Sequence, residues 1–241
     1  MAEVPNLTET ILKVEDTHTF IGHHHILQGL FFEAKADAVT VLIGRNGAGK
    51  STTLRTVMGL LPANQGKIIF HGKEIQKKKP YEIARMGLGF VPEDMGIFAN
   101  LTVEENMRVA MLVEDEATAE RLERTLDMFK DLKNFWHAQA GILSGGQKQM
   151  LAIARAIVNE TSLLLIDEPS KGLAPIIVDA VIEAINQIKK HSVVVLVEQN
   201  FYMASCVGDY FYILDDGMAV HNGPMAGLVD NDELKKKYLG I

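Results

Sequence analysis

Val39-Thr40-Val41-Leu42-Ile43-Gly44-Arg45-Asn46-Gly47-Ala48-Gly49-Lys50-Ser51 decides how the rest of the chain is read. From Gly44 onward it fits G-x-x-x-x-G-K-[ST], a pattern in which each part does something to a phosphate. The apolar, β-branched run Val39–Ile43 reads as a buried strand, and residues 52–59 carry helix formers and end at a glycine. The motif therefore sits in the strand–loop–helix context that its chemistry requires. Glycines at 44, 47 and 49 let the backbone curl until its N–H groups surround an anion. The following helix adds the positive end of its dipole. Lys50 is expected to reach the β- and γ-phosphates of a nucleotide, and the Ser51 hydroxyl to enter a Mg²⁺ shell.

A second apolar run, Leu163 to Ile166, ends in two carboxylates, Asp167 and Glu168. Alone this is an acidic turn after a core strand. Paired with the loop at Gly44, it puts Asp167 where it can hold Mg²⁺ through water, and Glu168 where a base can polarise an attacking water. A third stretch, Leu143-Ser144-Gly145-Gly146-Gln147, is a serine and two glycines at the start of an apolar-striped helix, again an anion site made of bare N–H groups. Two phosphate-binding helix starts in one chain suggest two chains facing each other across one nucleotide.

Outside these motifs, Ile11 to Val14 and Ile26 to Ala34 read as strands, with His18 and the run His23-His24-His25 in a polar loop between them. Three adjacent histidines on a strand cannot all face one ion, because side chains alternate. Residues 66–75 read as strand, turn, strand; Pro80 opens a short helix; Leu88 to Val91 is a strand. Thr102-Val103-Glu104-Glu105 is a capping-box pattern opening a helix through about Leu112, and a charged helix is expected over 116–132. Pro175 opens another helix, with Ile177, Val181, Ile185 and Ile188 on one face; Val193 to Val197 and Tyr210 to Leu214 are further buried strands. Buried strands alternating with helices imply a largely parallel sheet covered on both faces, hence an α/β fold. Consecutive helices over about 95–159 interrupt the alternation and read as an inserted helical subdomain.

The 241 residues carry a net charge of −7, which argues against nucleic acid as the main partner. The single cysteine, Cys206, excludes an intramolecular disulfide and suits a reducing compartment. No run approaches the ~18 apolar residues of a membrane helix. The first ten residues are acidic and polar, unlike a secretory leader.

Leu-Ser-Gly-Gly-Gln (143–147), about twenty residues before an apolar strand ending in Asp-Glu, resembles the signature of ATP-binding-cassette (ABC) ATPases, and the likeness spans essentially the whole chain. It implies a P-loop NTPase: one nucleotide-binding domain over 1–241, with an antiparallel β part near the N-terminus. A RecA-like and β core over 1–94 and 160–241 would enclose the helical subdomain. It implies ATP and Mg²⁺ as ligands and two cassettes stacked head to tail. Gly44, Arg45, Asn46, Gly47, Ala48, Gly49, Lys50, Ser51 and Thr52 would bind phosphate and metal. Ser144, Gly145, Gly146 and Gln147 would meet the partner's γ-phosphate, and Glu168 would be the catalytic carboxylate. Ser170-Lys171-Gly172-Leu173 falls on the loop by which the two sites communicate.

The wording Ile166-Asp-Glu-Pro-Ser-Lys-Gly-Leu-Ala-Pro175, with Val91-Pro-Glu93, Leu101-Thr-Val-Glu-Glu-Asn106 and Val197-Glu-Gln-Asn200, resembles the cassette of branched-chain amino acid importers and their urea and amide relatives. That likeness implies a peripheral subunit on the cytoplasmic face of a prokaryotic inner membrane. Its partners would be integral-membrane permease subunits, a second cassette, identical or paralogous, and indirectly a solute-binding protein. Three positions depart from the general pattern: 93, 199 and the aromatic that stacks on adenine, which aligns near Ile21 with Phe20 one residue before it. Glu93 replaces a glutamine and remains able to bind Mg²⁺ or water. Gln199 replaces a histidine and donates through its amide without taking up charge. Lys171 stands where the subgroup more often has an apolar residue. Phe20 is the candidate aromatic for the base. The competing expectations are a weakly hydrolysing regulatory cassette and an ABC ATPase outside transport.

Overall fold

A computed structural model describes residues 9–241. The chain opens with a long hairpin, β1 (Thr10–Ile21) and β2 (His24–Lys35), then β3 (Val39–Ile43), α1 (Lys50–Val57), β4 (Gln65–Phe70), β5 (Lys73–Glu74), α2 (Pro80–Arg85) and β6 (Leu88–Val91). Helices α3 (Val103–Ala110), α4 (Glu116–Met128), α5 (Lys130–Asn134) and α6 (Gly145–Ile157) follow. The chain then alternates through β7 (Leu163–Asp167), α7 (Pro175–Ile188), β8 (Val193–Glu198), α8 (Phe201–Val207) and β9 (Tyr210–Asp215). β10 (Met218–Pro224), α9 (Met225–Val229) and α10 (Asp232–Leu234) follow, and a π-helical segment, Lys235–Leu239, comes after them.

Two sheets form. One has the order β10-β9-β3-β8-β7-β6, parallel from β9 to β6 with β10 antiparallel at its edge. The other, β2-β1-β4-β5, is antiparallel throughout. The continuous apolar strands follow from burial on both faces. Along β7, Leu164 and Ile166 join one cluster with α3, α6, α7 and α8; Leu163 and Leu165 join a second with α1, α2 and the antiparallel sheet. β3 and β8 divide the same way, with Ile43 and Leu196 on the helical side and Leu42 and Val197 on the other. Each such side chain contributes about 1.5–3 kcal/mol by leaving water. The helices between β6 and β7 share the first cluster, through Val103, Met107, Leu132 and Leu151, with β3 and β7.

Several expectations need correction. The first two strands are twelve residues each, so His18 lies within β1 and His24 and His25 within β2; only Gly22 and His23 turn the chain. Polar residues sit in these strands because one side of the hairpin is exposed. His18 Nδ1 lies 3.0 Å from His25 Nε2, and no group of three potential metal-binding side chains occurs among the described residues. The charged helix expected over 116–132 breaks at Phe129, which turns its ring into the core at the head of α5. The first inserted helix stops at Ala110, short of Leu112. β10, with the burial pattern of an exposed edge, carries too little apolar alternation to stand out.

Candidate active site

Parallel order places the carboxyl ends of β3, β6, β7 and β8 along one edge, the rim where open α/β sheets bind ligands. The loop after β3 holds the phosphate pattern. Gly47 and Gly49 take left-handed backbone, at φ +86° and +98°, where a side chain would be strained. Gly44 is needed for proximity: a Cβ there would fall 2.3 Å from the Leu214 carbonyl oxygen of β9. Lys50, 4% exposed, curls back into the loop and donates from Nζ to the carbonyls of Gly44 (3.0 Å) and Arg45 (3.2 Å). The same Nζ lies 3.3 Å from Glu168 Oε1.

From α1, the Ser51 hydroxyl donates to Asp167 Oδ1 at 2.9 Å, joining the segment that follows β3 to the end of β7, 116 residues away along the chain. Asp167 is buried, and its Oδ2 has no hydrogen-bond partner among the described residues. Burial, with the charges of Glu168 and Glu93 adding to it and the Ser51 bond opposing it, pushes the Asp167 carboxyl up to about 6. A buried carboxylate oxygen without a donor, beside a hydroxyl, fits a hard divalent cation such as Mg²⁺. Glu168, at φ +46°, holds its backbone in the left-handed region and anchors it by donating to the Val197 carbonyl at 2.9 Å. That turn leaves the side chain only 11% exposed against Lys50.

Asn46, Gly47, Gly49, Lys50, Ser51 and Thr52 line a cleft of about 290 Å³ together with Glu93, Glu168, Lys171 and Ile26. Glu93 sits just beyond β6 and is paired with the Lys171 ammonium, not with Ser51 or Asp167. A larger cavity of about 540 Å³, between α4 and α7, contains no phosphate-loop residue. Volume alone does not find the chemistry here.

Other expected residues lie outside the cleft. Ser144 caps α6 by accepting from Gln147 N–H, while the Gln147 side chain accepts from Ser144 N–H, the reciprocal box its sequence implies. Ser144, Gly146 and Gln147 line a separate cavity beside α7. Gly146 packs there so tightly that a Cβ would meet Ile177 Cγ2 at 2.5 Å. Gln199 is exposed at the end of β8. Phe20, 39% exposed, stacks on His25 with ring centroids 4.2 Å apart; Ile26 of the same hairpin lines the cleft.

Sequence reading passed over Glu198. It is 1% exposed; Oε1 accepts from Ser170 N–H (3.0 Å), and Oε2 accepts from Gln199 N–H (3.0 Å) and Asn200 N–H (2.9 Å). One carboxylate thereby ties the loop after β7 to the loop after β8. Burial raises its pKa above the usual glutamate value, against the pull of these bonds. The signal was available: β8, like β7, is an apolar strand ending in an acid.

The family profile described as "ABC transporter" matches residues 27–171. A high-affinity branched-chain amino acid transport ATP-binding protein of Pseudomonas aeruginosa, BraG, is 38% identical over 95% of this chain and all of its own length. A probable branched-chain amino acid transport ATP-binding protein of Archaeoglobus fulgidus, LivF, is 36% identical over 90% of this chain and 93% of its own. Among solved structures, a nucleotide-free ATP-binding cassette from an ABC transporter superposes with a TM-score of 0.85 at 23% identity, covering 97% of this chain and 99% of that one.

Proposed function

The chain belongs to the ABC transporter family of ATP-binding proteins and is an ATPase of that family, and on that premise we propose that it energises import of branched-chain amino acids or related small polar solutes. The observation that carries the solute class is similarity along all of one branched-chain amino acid transport ATP-binding protein and 93% of another. The chemistry is supported by Lys50, Ser51 and Glu168 lining one cleft, with Asp167 bonded to Ser51 behind it.

In this reading the loop amides from Gly44 to Gly49, with Lys50 and Thr52, bind the phosphates of ATP. Ser51 and Asp167, with Glu93 nearby, would hold Mg²⁺, which would offset phosphate charge. Glu168 orients and polarises the attacking water, and its approach to Lys50 keeps it aimed at the phosphate loop. Gln199 donates a hydrogen bond to the terminal phosphate. The base lies toward the β1–β2 hairpin, near Ile26 and Phe20. Ser144, Gly145, Gly146 and Gln147 line no part of this chain's own cleft, which supports a second cassette, identical or paralogous, presenting its own phosphate loop to them.

No described helix is long and apolar enough to cross a membrane. In this reading the cassette couples to permease subunits, reached from the cytoplasmic face through the helices of about 95–159, with a solute-binding protein on the other side. Purified chain should hydrolyse ATP. Lys50→Ala should abolish most nucleotide binding, and Glu168→Gln should retain ATP while slowing turnover about 10²-fold. Co-purification from native membranes should recover two polytopic subunits and a second cassette; recovery without permease subunits would overturn the transport assignment.

A further inference from the structure

The loop after β7 sends Lys171 across the cleft. Its ammonium pairs with Glu93, on the loop after β6, and lies 3.9 Å from Glu168 Oε2. Lys50 Nζ approaches the other oxygen of the same carboxylate, Oε1, at 3.3 Å. Two ammonium groups thus flank Glu168, one from the phosphate loop and one from the loop that follows Glu168 itself. Glu93, Glu168, Lys50 and Lys171 all line the same cleft, and the Asp167 carboxyl feels the charges of both Glu93 and Glu168. Without Lys171, Lys50 would be the cation left lining the cleft beside Glu93 and Glu168, where a polyanionic nucleotide must enter.

The two departures in sequence are therefore one arrangement. A carboxylate at 93, where the general pattern has an amide, is matched by a cation at 171, where an apolar residue is more usual. The charges are opposite and paired, so together they leave the net charge of the site unaltered.

We propose that Lys171 is a positioning residue of the ATPase site, which ties the loop after β6 to the loop after β7 through Glu93 and holds the Glu168 carboxylate beside the phosphate loop. The inference rests on the ATPase reading above. Lys171 is 62% exposed and Glu93 35%, so the pair adds little to folding, and its effect belongs in binding and turnover.

The test is a double-mutant cycle of Lys171→Met, Glu93→Gln and the combined variant, with Lys171→Arg as the conservative replacement. ATP binding in EDTA, ATP turnover with Mg²⁺ and thermal melting are measured for each. Lys171→Met should weaken metal-free ATP binding about threefold, the scale of one exposed charge pair. Both single variants should turn over ATP more slowly, and the double variant should recover to within about twofold of the parent, with melting temperatures unchanged throughout. Lys171→Arg should behave as the parent. Turnover losses that simply multiply in the double variant, or single variants indistinguishable from the parent, would overturn the proposal while leaving the ATPase assignment intact. A parent chain that binds no ATP would bring down both.

Discussion

Asp167→Asn should make the ligand-free protein more stable at neutral pH. The wild-type carboxyl is buried, keeps one oxygen without a partner, and has its pKa pushed up from the ordinary 3.8 to about 6. For an acid raised in this way, the unfolded chain releases its proton first as pH rises. Stability is therefore full below the unfolded value and is lost between about pH 4 and pH 6. A shift of two units corresponds to about 3 kcal/mol, so above pH 7 the native state carries roughly that penalty. At pH 5 about half of it has been returned. The asparagine keeps the oxygen that accepts from Ser51 Oγ and removes the charge. Its amide nitrogen is left without an acceptor, which takes back about 1–2 kcal/mol. A net gain of about 1–2 kcal/mol raises the melting temperature by roughly 2–6 °C in a chain of this size. Melting curves of parent and variant at pH 7.5 and pH 5, in EDTA without nucleotide, report the effect, because titrating groups remote from Asp167 cancel in the difference. The variant's advantage should shrink by about 1–2 kcal/mol on going to pH 5. An advantage that does not change with pH, or a less stable variant at pH 7.5, would refute the claim that Asp167 holds a buried charge at a cost to folding.

Glu198 and Gly44 give two further outcomes. Glu198→Ala leaves the N–H groups of Ser170, Gln199 and Asn200 without their acceptor, so it should lower stability by about 2–3 kcal/mol in denaturant titration. Glu198→Gln, which keeps one carbonyl acceptor, should recover part of that loss; equal loss in both variants would mean that the carboxylate merely fills space. Gly44→Ala should cost about 1–3 kcal/mol and weaken ATP binding, because its Cβ cannot coexist with the Leu214 carbonyl at 2.3 Å. Unchanged melting and affinity would show that β9 yields at that point.

Features written in a few adjacent residues were legible in the sequence. The phosphate loop needs only Gly44 to Ser51, and the caps of α3 and α6 are closed by residues three apart, Thr102 with Glu105 and Ser144 with Gln147. Strands buried on both faces, β3, β7 and β8, announced themselves as unbroken apolar runs. The hairpin strands showed only their apolar stretches and β10 not at all, since a strand with one exposed face mixes polar residues into its pattern.

By itself, then, the sequence determined which strand would carry the phosphate loop, which carboxylates would end β7, and which helix would bear the second glycine-rich start. Strand order decided the rest. It brings Ser51 to Asp167 across 116 residues of chain, sets Glu93 against Lys171 across 78, and hangs Ser170 on Glu198 across 28. Turns and caps are fixed by bonds that close within a few residues. These pairings form only after the apolar strands have chosen their neighbours, because a lone charged side chain carries too little free energy to draw distant segments together.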